Sequence, residues 1–180
     1  MALKWGADVQ ALDKSRTPLM VAAIEGREAV AKLLLAEDKV NLHSKDSFGT
    51  APLSFAALRG HKTVGKLLLN KGAIVTITNN DRWTPLYATS RHGHVEVVKL
   101  LVDEADTTVV DKHGWTPLST ASRYGHVEVV KVLVDEGADI TTTNNEGQTP
   151  LFIASRHGHV DVVKLLVDNG TDIKVVDTTR

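Results

Sequence analysis

A phrase of about 33 residues recurs along this chain and constrains the fold more than any other feature of the sequence. Thr-Pro-Leu occurs at 17–19, 84–86, 116–118 and 149–151, with an Ala-Pro-Leu variant at 51–53. A glycine stands seven residues after each of these leucines, and a histidine follows the last four glycines. Such a period is typical of a solenoid, in which each repeat buries its apolar face against its neighbours.

Each repeat predicts two short helices and a loop. Thr116 is a favourable N-cap, and Pro117 suits the first turn of a helix that ends at Gly125, where a left-handed residue can stop it. A second helix is predicted over 127–135, with its polar residues on one stripe and apolar residues on the remaining sides. The turn residues at 144–147, Asn-Asn-Glu-Gly, predict a loop with hairpin character.

The stretch DKHGWTPLSTASRYGHVEVVKVLVDEGAD, at 111–139, resembles the ankyrin repeat, and the resemblance covers essentially the whole chain. It implies an all-α fold, an ankyrin-repeat solenoid of antiparallel helix pairs joined by β-hairpin-like loops that project to form a groove. The chain is then one array over 1–180. Its units are expected at about 12–44, 45–78, 79–110, 111–143 and 144–176, with partial units at 1–11 and 177–180. The ends lack polar caps, which predicts a segment of a longer array.

The chain departs from the family pattern at two kinds of position. The family often has histidine after Thr-Pro-Leu, where it helps to tie neighbouring loops together. That place holds Met20, Ser54, Tyr87, Ser119 and Phe152 here. Ser15 and Arg82 stand where a turn glycine is usual. These departures bear on the hydrogen bonds between loops and leave the fold unchanged.

Composition narrows the classes of function. The 180 residues carry a formal net charge of −1, so no global charge draws the chain to nucleic acid or to an anionic membrane. There is no cysteine, which excludes disulfides, thiolate zinc sites and thiol nucleophiles. No apolar run approaches the roughly 20 residues of a membrane span, and the N-terminus does not resemble a signal peptide. We expect no membrane partner, and the missing signals and the resemblance favour an intracellular, cytoplasmic location.

The positions that vary from repeat to repeat are the candidate binding residues. In ankyrin-like folds, the loop tips and the ends of the first helices line the groove, and the family generally binds other proteins there. The candidates are Phe48, Arg59, Asp81, Trp83, Arg91, His92, Lys112, His113, Trp115, Arg123, Tyr124, Gln148, Arg156 and His157. Tryptophan, tyrosine and arginine often dominate protein interfaces. Alternatively, Trp83 and Trp115 pack flat across neighbouring loops and only stiffen the array.

Three arginines occupy equivalent positions in successive repeats, at Arg91, Arg123 and Arg156, with Arg59 nearby. Stacked repeats would place them along one groove, which favours an acidic partner. We expect the second helices to carry the opposite charge, from Glu96, Asp103, Glu128, Asp135, Asp161 and Asp168. In the alternative interpretation, each arginine pairs with a loop carboxylate such as Asp81 or Glu146.

Other chemistries have weaker support. The His-x-His spacings at 92–94 and 157–159 suggest a metal, but we expect the two rings to diverge and the second histidine to make a hydrogen bond within its turn, so no metal or cofactor is predicted. Ser90, Ser122 and Ser155 repeat with the scaffold, which indicates packing and not catalysis. Nucleic acid and small-molecule substrates are disfavoured. The sequence thus predicts a non-enzymatic protein-binding module; the alternatives are a structural spacer and a substrate-recruiting segment of a larger enzyme or signalling protein.

Overall fold

The computed structural model describes residue 10 and residues 15–170, and this part of the chain holds ten short α-helices. Their bounds are α1 Pro18–Ile24, α2 Glu28–Leu34, α3 Pro52–Arg59, α4 Lys62–Asn70, α5 Pro85–His92, α6 Val95–Leu101, α7 Pro117–Tyr124, α8 Val127–Asp135, α9 Pro150–Arg156 and α10 Val160–Asp168. None of these helices is long and apolar enough to cross a membrane. The described residues do not include the expected partial units at 1–11 and 177–180, except for residue 10. The ends that are expected to lack caps also lie outside them.

The first helix of each pair begins and ends as the sequence predicts. The Thr116 hydroxyl accepts a hydrogen bond from the Ser119 backbone N–H at 3.0 Å, and Pro117 opens α7. The helix stops at Gly125, which has a φ of 71°. Equivalent threonines cap α1, α5 and α9, whereas α3 begins after Ala51, which has no side-chain oxygen to offer. The local sequence therefore sets the helix ends.

The second helices supply the apolar faces that join the repeats into one core. In α8, Val129, Val130 and Leu133 are fully buried, while Glu128 and Lys131 face solvent. This helix contacts α7 of its own pair and both α6 and α10 of the neighbouring pairs. The leucines of the recurring tripeptide complete the core, at Leu19, Leu53, Leu86, Leu118 and Leu151. Burial of each leucine stabilises the fold by about 2 kcal/mol.

Differences in repeat length are absorbed at the end of the second helix. Measured from the preceding glycine, α2 and α6 end two residues earlier than α4, α8 and α10. These two helices belong to the repeats with the extra residue near 36–41 and the missing glycine near 103–106. The sequence places both changes outside the helices, but each of the two helices is also two residues shorter at its C-terminal end. Asp103 therefore lies beyond α6 and not on it.

From the second repeat onward, each of the four loops is a tight hairpin built around one Asp or Asn side chain. The Asp111 Oδ1 accepts hydrogen bonds from the His113 and Trp115 N–H groups at 2.8 and 2.9 Å, and the Asp111 N–H donates to the Trp115 carbonyl at 3.1 Å. Asp46, Asn79 and Asn144 make the same pattern. The expected hairpin character is confirmed.

Backbone hydrogen bonds join neighbouring loops without the family histidine. They run from Asn80 to Phe48, from Lys112 to Asp81 and from Asn145 to His113, at 2.9, 3.3 and 3.0 Å. Ser15 and Arg82 occupy the left-handed turn position, with φ values of 67° and 64°, a conformation that glycine adopts more readily. The departures from the family pattern thus leave the connections between loops in place.

The recurring histidine ties one repeat to the preceding repeat. The His126 Nε2 lies 3.1 Å from the Arg91 carbonyl oxygen, and the His159 Nε2 lies 2.8 Å from the Arg123 carbonyl oxygen. Since a carbonyl only accepts, the Nε2 atoms carry the proton and donate. His61 and His94 make the same bond to Ile24 and Leu58. The expectation of a hydrogen bond within the turn was wrong, because the ring crosses to the helix beside it.

Candidate functional site

Two clefts of about 240 Å³ each lie side by side between the loops and the first helices. They occupy the same position one repeat apart. We call the first, between α3 and α5, the phenylalanine cleft; its main lining residues are Phe48, Thr50, Ser54, Phe55, Leu58, Asn79 and Trp83. We call the second, between α5 and α7, the arginine cleft; its lining residues are Asp81, Trp83, Tyr87, Arg91, Asp111, Lys112, His113, Trp115, Thr120 and Arg123. Trp83 and Asp81 belong to both clefts.

Arginines and aromatic rings form a continuous chain of contacts along the arginine cleft. The Arg91 guanidinium lies 5.1 Å from the Trp83 ring centre and 4.8 Å from that of Tyr124. The Arg123 guanidinium lies 5.8 Å from the Tyr124 ring centre and 5.0 Å from that of Trp115. We call these five residues the cation–π chain. Such contacts fix a guanidinium plane and leave its N–H edges available.

Neither arginine of the cation–π chain pairs with a carboxylate of the described residues. Asp81, the expected alternative partner, instead makes an ion pair with Lys112 at 3.0 Å. The interpretation in which loop carboxylates neutralise the arginines is therefore wrong for this structure. Trp83 and Trp115 also do more than stiffen the loops, because each holds a guanidinium.

The scaffold fixes the backbone from which these arginines project. Arg91 and Arg123 stand in the last turns of α5 and α7, where the helix dipole favours a cation. Their carbonyls accept the hydrogen bonds of His126 and His159 described above. Each arginine is thus held at its backbone by the next repeat and at its side chain by aromatic rings.

Two other histidines report the electrostatic environment beside the arginines. Burial lowers the pKa of His92 below 6.5, and the positive charge of Arg91 lowers it further. Burial also lowers the pKa of His157, with Arg123 as the next cause. Both rings are therefore mainly neutral at pH 7. The arginine contributions indicate a positive potential along this edge of the groove.

The floor of the arginine cleft is polar and braced. The Tyr87 hydroxyl donates to Asp111 Oδ2 at 3.0 Å, and its ring lies 5.1 Å from that of Trp83. Both Tyr87 and Asp111 are buried, and burial is the main cause that raises the pKa of Tyr87 to about 12. The tyrosine therefore stays protonated and links α5 to the following loop.

The phenylalanine cleft has different residues at the same positions. Ser54 and Leu58 stand where Tyr87 and Arg91 stand one repeat later. Phe48 forms the outer wall with 68% of its surface exposed. The smaller serine leaves the space open that a tyrosine side chain would fill. The charged residues that line this cleft are paired: Arg16 lies over the Phe55 ring and 3.9 Å from Asp46, and Asp81 makes its ion pair with Lys112. The rest of the wall is uncharged.

The structure brings most of the predicted binding residues to this surface. Eight of them line one cleft or both: Phe48, Asp81, Trp83, Arg91, Lys112, His113, Trp115 and Arg123. Tyr124 joins the arginine cleft through the cation–π chain. Arg59, His92, Arg156 and His157 are exposed on the ends of first helices or just beyond them, outside the clefts.

Gln148 differs from the prediction, and several lining residues were missed, among them three aromatic or acidic residues that shape the clefts. Gln148 is only 7% exposed, and its side-chain carbonyl accepts a hydrogen bond from Asn144, so it braces its own loop. Sequence reasoning did not select Tyr87, Asp111 or Phe55. Tyr87 could have been selected because it replaces the family histidine.

The paired histidines do not diverge as expected. The ring centres of His92 and His94 lie 6.1 Å apart with an interplanar angle of 15°, and those of His157 and His159 are arranged similarly. The Nε2 atoms of His94 and His159 are already bonded to carbonyls. Among the described residues, no group of three or more histidine, aspartate or glutamate side chains is arranged to hold a metal ion.

The second helices carry mixed charge, which corrects the predicted acidic back surface. Lys62 pairs with Glu96 at 2.6 Å, and Lys164 lies 3.6 Å from Asp161. Exposed lysines thus alternate with the predicted carboxylates. In the described residues, the arginines of the cation–π chain differ from these lysines, because neither Arg91 nor Arg123 has an acidic partner.

With this geometry, the chain can be placed in a class: a helical repeat solenoid with a preformed, arginine-bearing groove. The family model for ankyrin repeats (3 copies) matches residues 2–79, 39–111, 66–144 and 104–177. The chain therefore belongs to the ankyrin-repeat family, whose repeats are generally protein–protein interaction modules and are typically non-enzymatic. A search of curated proteins finds no match to the chain.

Proposed function

We propose that this chain is a protein-binding module whose groove holds an extended acidic segment of another protein. The observation that carries the proposal is the cation–π chain. Arg91 and Arg123 are oriented by aromatic rings and have no carboxylate partner in the described structure. A planar guanidinium group that is oriented in this way can donate two parallel hydrogen bonds to one carboxylate.

Preorganisation supports this function. The loops are hydrogen-bonded to one another, and the histidines fix the carbonyls of both arginines. An incoming segment would therefore meet a surface whose side chains are already ordered. Binding then loses less conformational entropy than it would at a flexible surface. The arginines also lie over the rings that a nucleic-acid base would stack on, which favours a peptide over a single strand.

A charge-matched pair of variants tests the proposal. The probe is a dye-labelled ten-residue peptide of alternating glutamate and glycine, and the measurement is fluorescence anisotropy at low and physiological salt. The double variant Arg91→Gln/Arg123→Gln should weaken binding at least tenfold. The control Lys66→Gln/Lys131→Gln removes the same charge from exposed positions on α4 and α8 and should change binding less than twofold.

Two results would contradict the proposal. An equal loss in both variants would show that net charge, and not the groove, attracts the peptide. Tighter binding of a ten-nucleotide single strand, lost in the arginine variant, would assign the surface to nucleic acid. If the unaltered chain binds neither probe up to about 1 mM, the structural-spacer interpretation replaces the proposed one.

A further inference from the structure

We infer that the two clefts recognise one partner segment together, with an aromatic side chain in the phenylalanine cleft and carboxylates on the arginines one repeat further along. This inference rests on the proposed function and specifies the partner's chemistry. The two clefts share Trp83 and Asp81, so a segment that lies in one continues directly into the other. Their linings differ enough to accept different side chains.

The wall of the phenylalanine cleft selects an aromatic occupant. Phe48, Phe55 and Trp83 contribute rings from two consecutive repeats. Phe48 is 68% exposed, and among the described large apolar side chains only Leu33 is more exposed. An inserted ring can pack offset or edge-on against these walls. The cleft is smaller than the roughly 300–1,000 Å³ usual for drug-sized ligands and suits one side chain.

Charge complementarity determines what flanks that ring. Arg16 of the phenylalanine cleft lies 3.9 Å from Asp46, and Leu58 stands where Arg91 stands in the arginine cleft, so the arginines without a carboxylate partner begin one repeat after the aromatic wall. Packed helices lie about 8–10 Å apart, and an extended chain rises about 3.3 Å per residue. The spacing predicts carboxylates about three and six residues from the aromatic anchor, which would reach Arg91 and Arg123 in turn.

The substitution Ser54→Tyr closes the phenylalanine cleft in a way that the fold already tolerates elsewhere. The equivalent position one repeat later is occupied by Tyr87, whose ring packs beside Trp83. Ser54→Ala is the matched control, because it keeps the cleft open. Phe48→Ser removes the outer wall at an exposed site and serves as a second test if the tyrosine variant is poorly folded.

The probes are synthetic ten-residue glycine-serine peptides with one variable position and glutamates three and six residues away from it. One set has both glutamates on the N-terminal side of the variable position, and the other set has both on its C-terminal side. The variable residue is phenylalanine or alanine. In one of the two sets, the unaltered chain and Ser54→Ala should bind the phenylalanine peptide at least tenfold more tightly than the alanine peptide. That preference should disappear in Ser54→Tyr and in Phe48→Ser. Circular dichroism and melting curves confirm folding.

The outcomes separate this inference from the proposed function. Equal binding of both peptides, with a loss in Arg91→Gln/Arg123→Gln, would overturn the aromatic anchor and leave the acidic-partner proposal standing. A preference for phenylalanine that survives both Ser54→Tyr and Phe48→Ser would also overturn it, because the anchor would then lie elsewhere. No binding of any peptide up to about 1 mM overturns both.

Discussion

The two clefts occupy equivalent positions in one scaffold, and their differences show how a repeat protein varies its surface. The helices, hairpins and histidine bonds around them are the same. In the arginine cleft, Tyr87 and Arg91 add a braced floor and a stacked cation. In the phenylalanine cleft, Ser54 and Leu58 stand at the equivalent positions and supply neither a braced ring nor a cation.

The comparison also separates scaffold residues from surface residues. Where a residue type recurs in both clefts, it holds the backbone, as the histidine beside each glycine does. Where Tyr87 and Arg91 replace Ser54 and Leu58, the side chains line the cleft and the helices keep the same arrangement. The comparison can therefore be tested by three kinds of substitution, in order of decreasing expected effect. They change a glycine of the shared scaffold, the tyrosine that distinguishes the arginine cleft, and a buried serine of a first helix.

The largest expected effect comes from the glycine beneath the arginine cleft. Gly93 has a φ of 74°, and a Cβ added there would lie 2.6 Å from the Nδ1 of His126. Gly93→Ala should therefore lower the free energy of unfolding by about 3 kcal/mol, through left-handed strain and displacement of the histidine ring. Urea denaturation followed by circular dichroism measures the loss.

Gly158→Ala is the matched control for that change. Gly158 has nearly the same φ, 72°, but no described atom lies within 4 Å of the place that an added Cβ would take. Only the backbone strain remains, so we expect a loss of about 1 kcal/mol. If the two variants lose equal stability, the contact between glycine and histidine contributes nothing, and the histidine bond is not what aligns the repeats.

Tyr87→Phe removes the polar floor that distinguishes the arginine cleft. The buried Asp111 carboxylate would lose the hydrogen bond that it accepts from the Tyr87 hydroxyl. Because hydrogen bonds to carboxylates are among the stronger ones, the free energy of unfolding should fall by about 2 kcal/mol at pH 7. In contrast, the exposed Tyr124 hydroxyl makes no hydrogen bond to a described residue, and Tyr124→Phe should cost less than about 0.5 kcal/mol. Urea titrations of both variants make the comparison.

Alkaline pH provides a second test of the same tyrosine. The pKa of Tyr87 is raised from 10.0 to about 12, so between these values the native state binds its proton more tightly than the unfolded chain does. The stabilisation is complete below pH 10 and is lost as pH rises towards 12. The unaltered chain should therefore lose stability more steeply than Tyr87→Phe in this window. Parallel slopes would show that Tyr87 titrates normally and that the buried bond is absent in solution.

The sequence predicts the helices almost to the residue because their signals are local. Thr116 and Pro117 start α7, and Gly125 stops it, without help from distant residues. The second helices were less well predicted where the repeat length changes, since α6 ends two residues early and leaves Asp103 outside it. At such a place, the C-terminal end of the helix depends on the path that the following loop takes to the next repeat.

The site was only partly predictable because it depends on side-chain directions across repeats. The spacing of Arg91 and Arg123 correctly placed them on neighbouring helices. Sequence could not decide whether each guanidinium would pair with a carboxylate or stack on a ring, because both partners were available nearby. It also assigned the hydrogen bond of His126 to its own turn, although the acceptor is 35 residues away.

The smallest expected effect concerns a difference hidden beneath the clefts. Ser90 and Ser122 are fully buried in α5 and α7, and their hydroxyls have no hydrogen-bond partner among the described residues. The equivalent residues of the two preceding first helices, α1 and α3, are Ala23 and Ala57, also fully buried. Ser122→Ala should therefore raise the free energy of unfolding by about 0.5–1 kcal/mol, since it removes an unpaired buried polar group and favours the helix.

Ser155→Ala controls for helix propensity, because Ser155 holds the same position in α9 but is exposed. Its stability should change by only a few tenths of a kcal/mol. Combining Ser90→Ala with Ser122→Ala should give nearly the sum of the single gains if each hydroxyl is independently unpaired. A loss of stability in either buried variant would mean that the hydroxyl is bonded in solution. Ser90 and Ser122 would then be accommodated in the core as well as Ala23 and Ala57 are at the equivalent positions of α1 and α3.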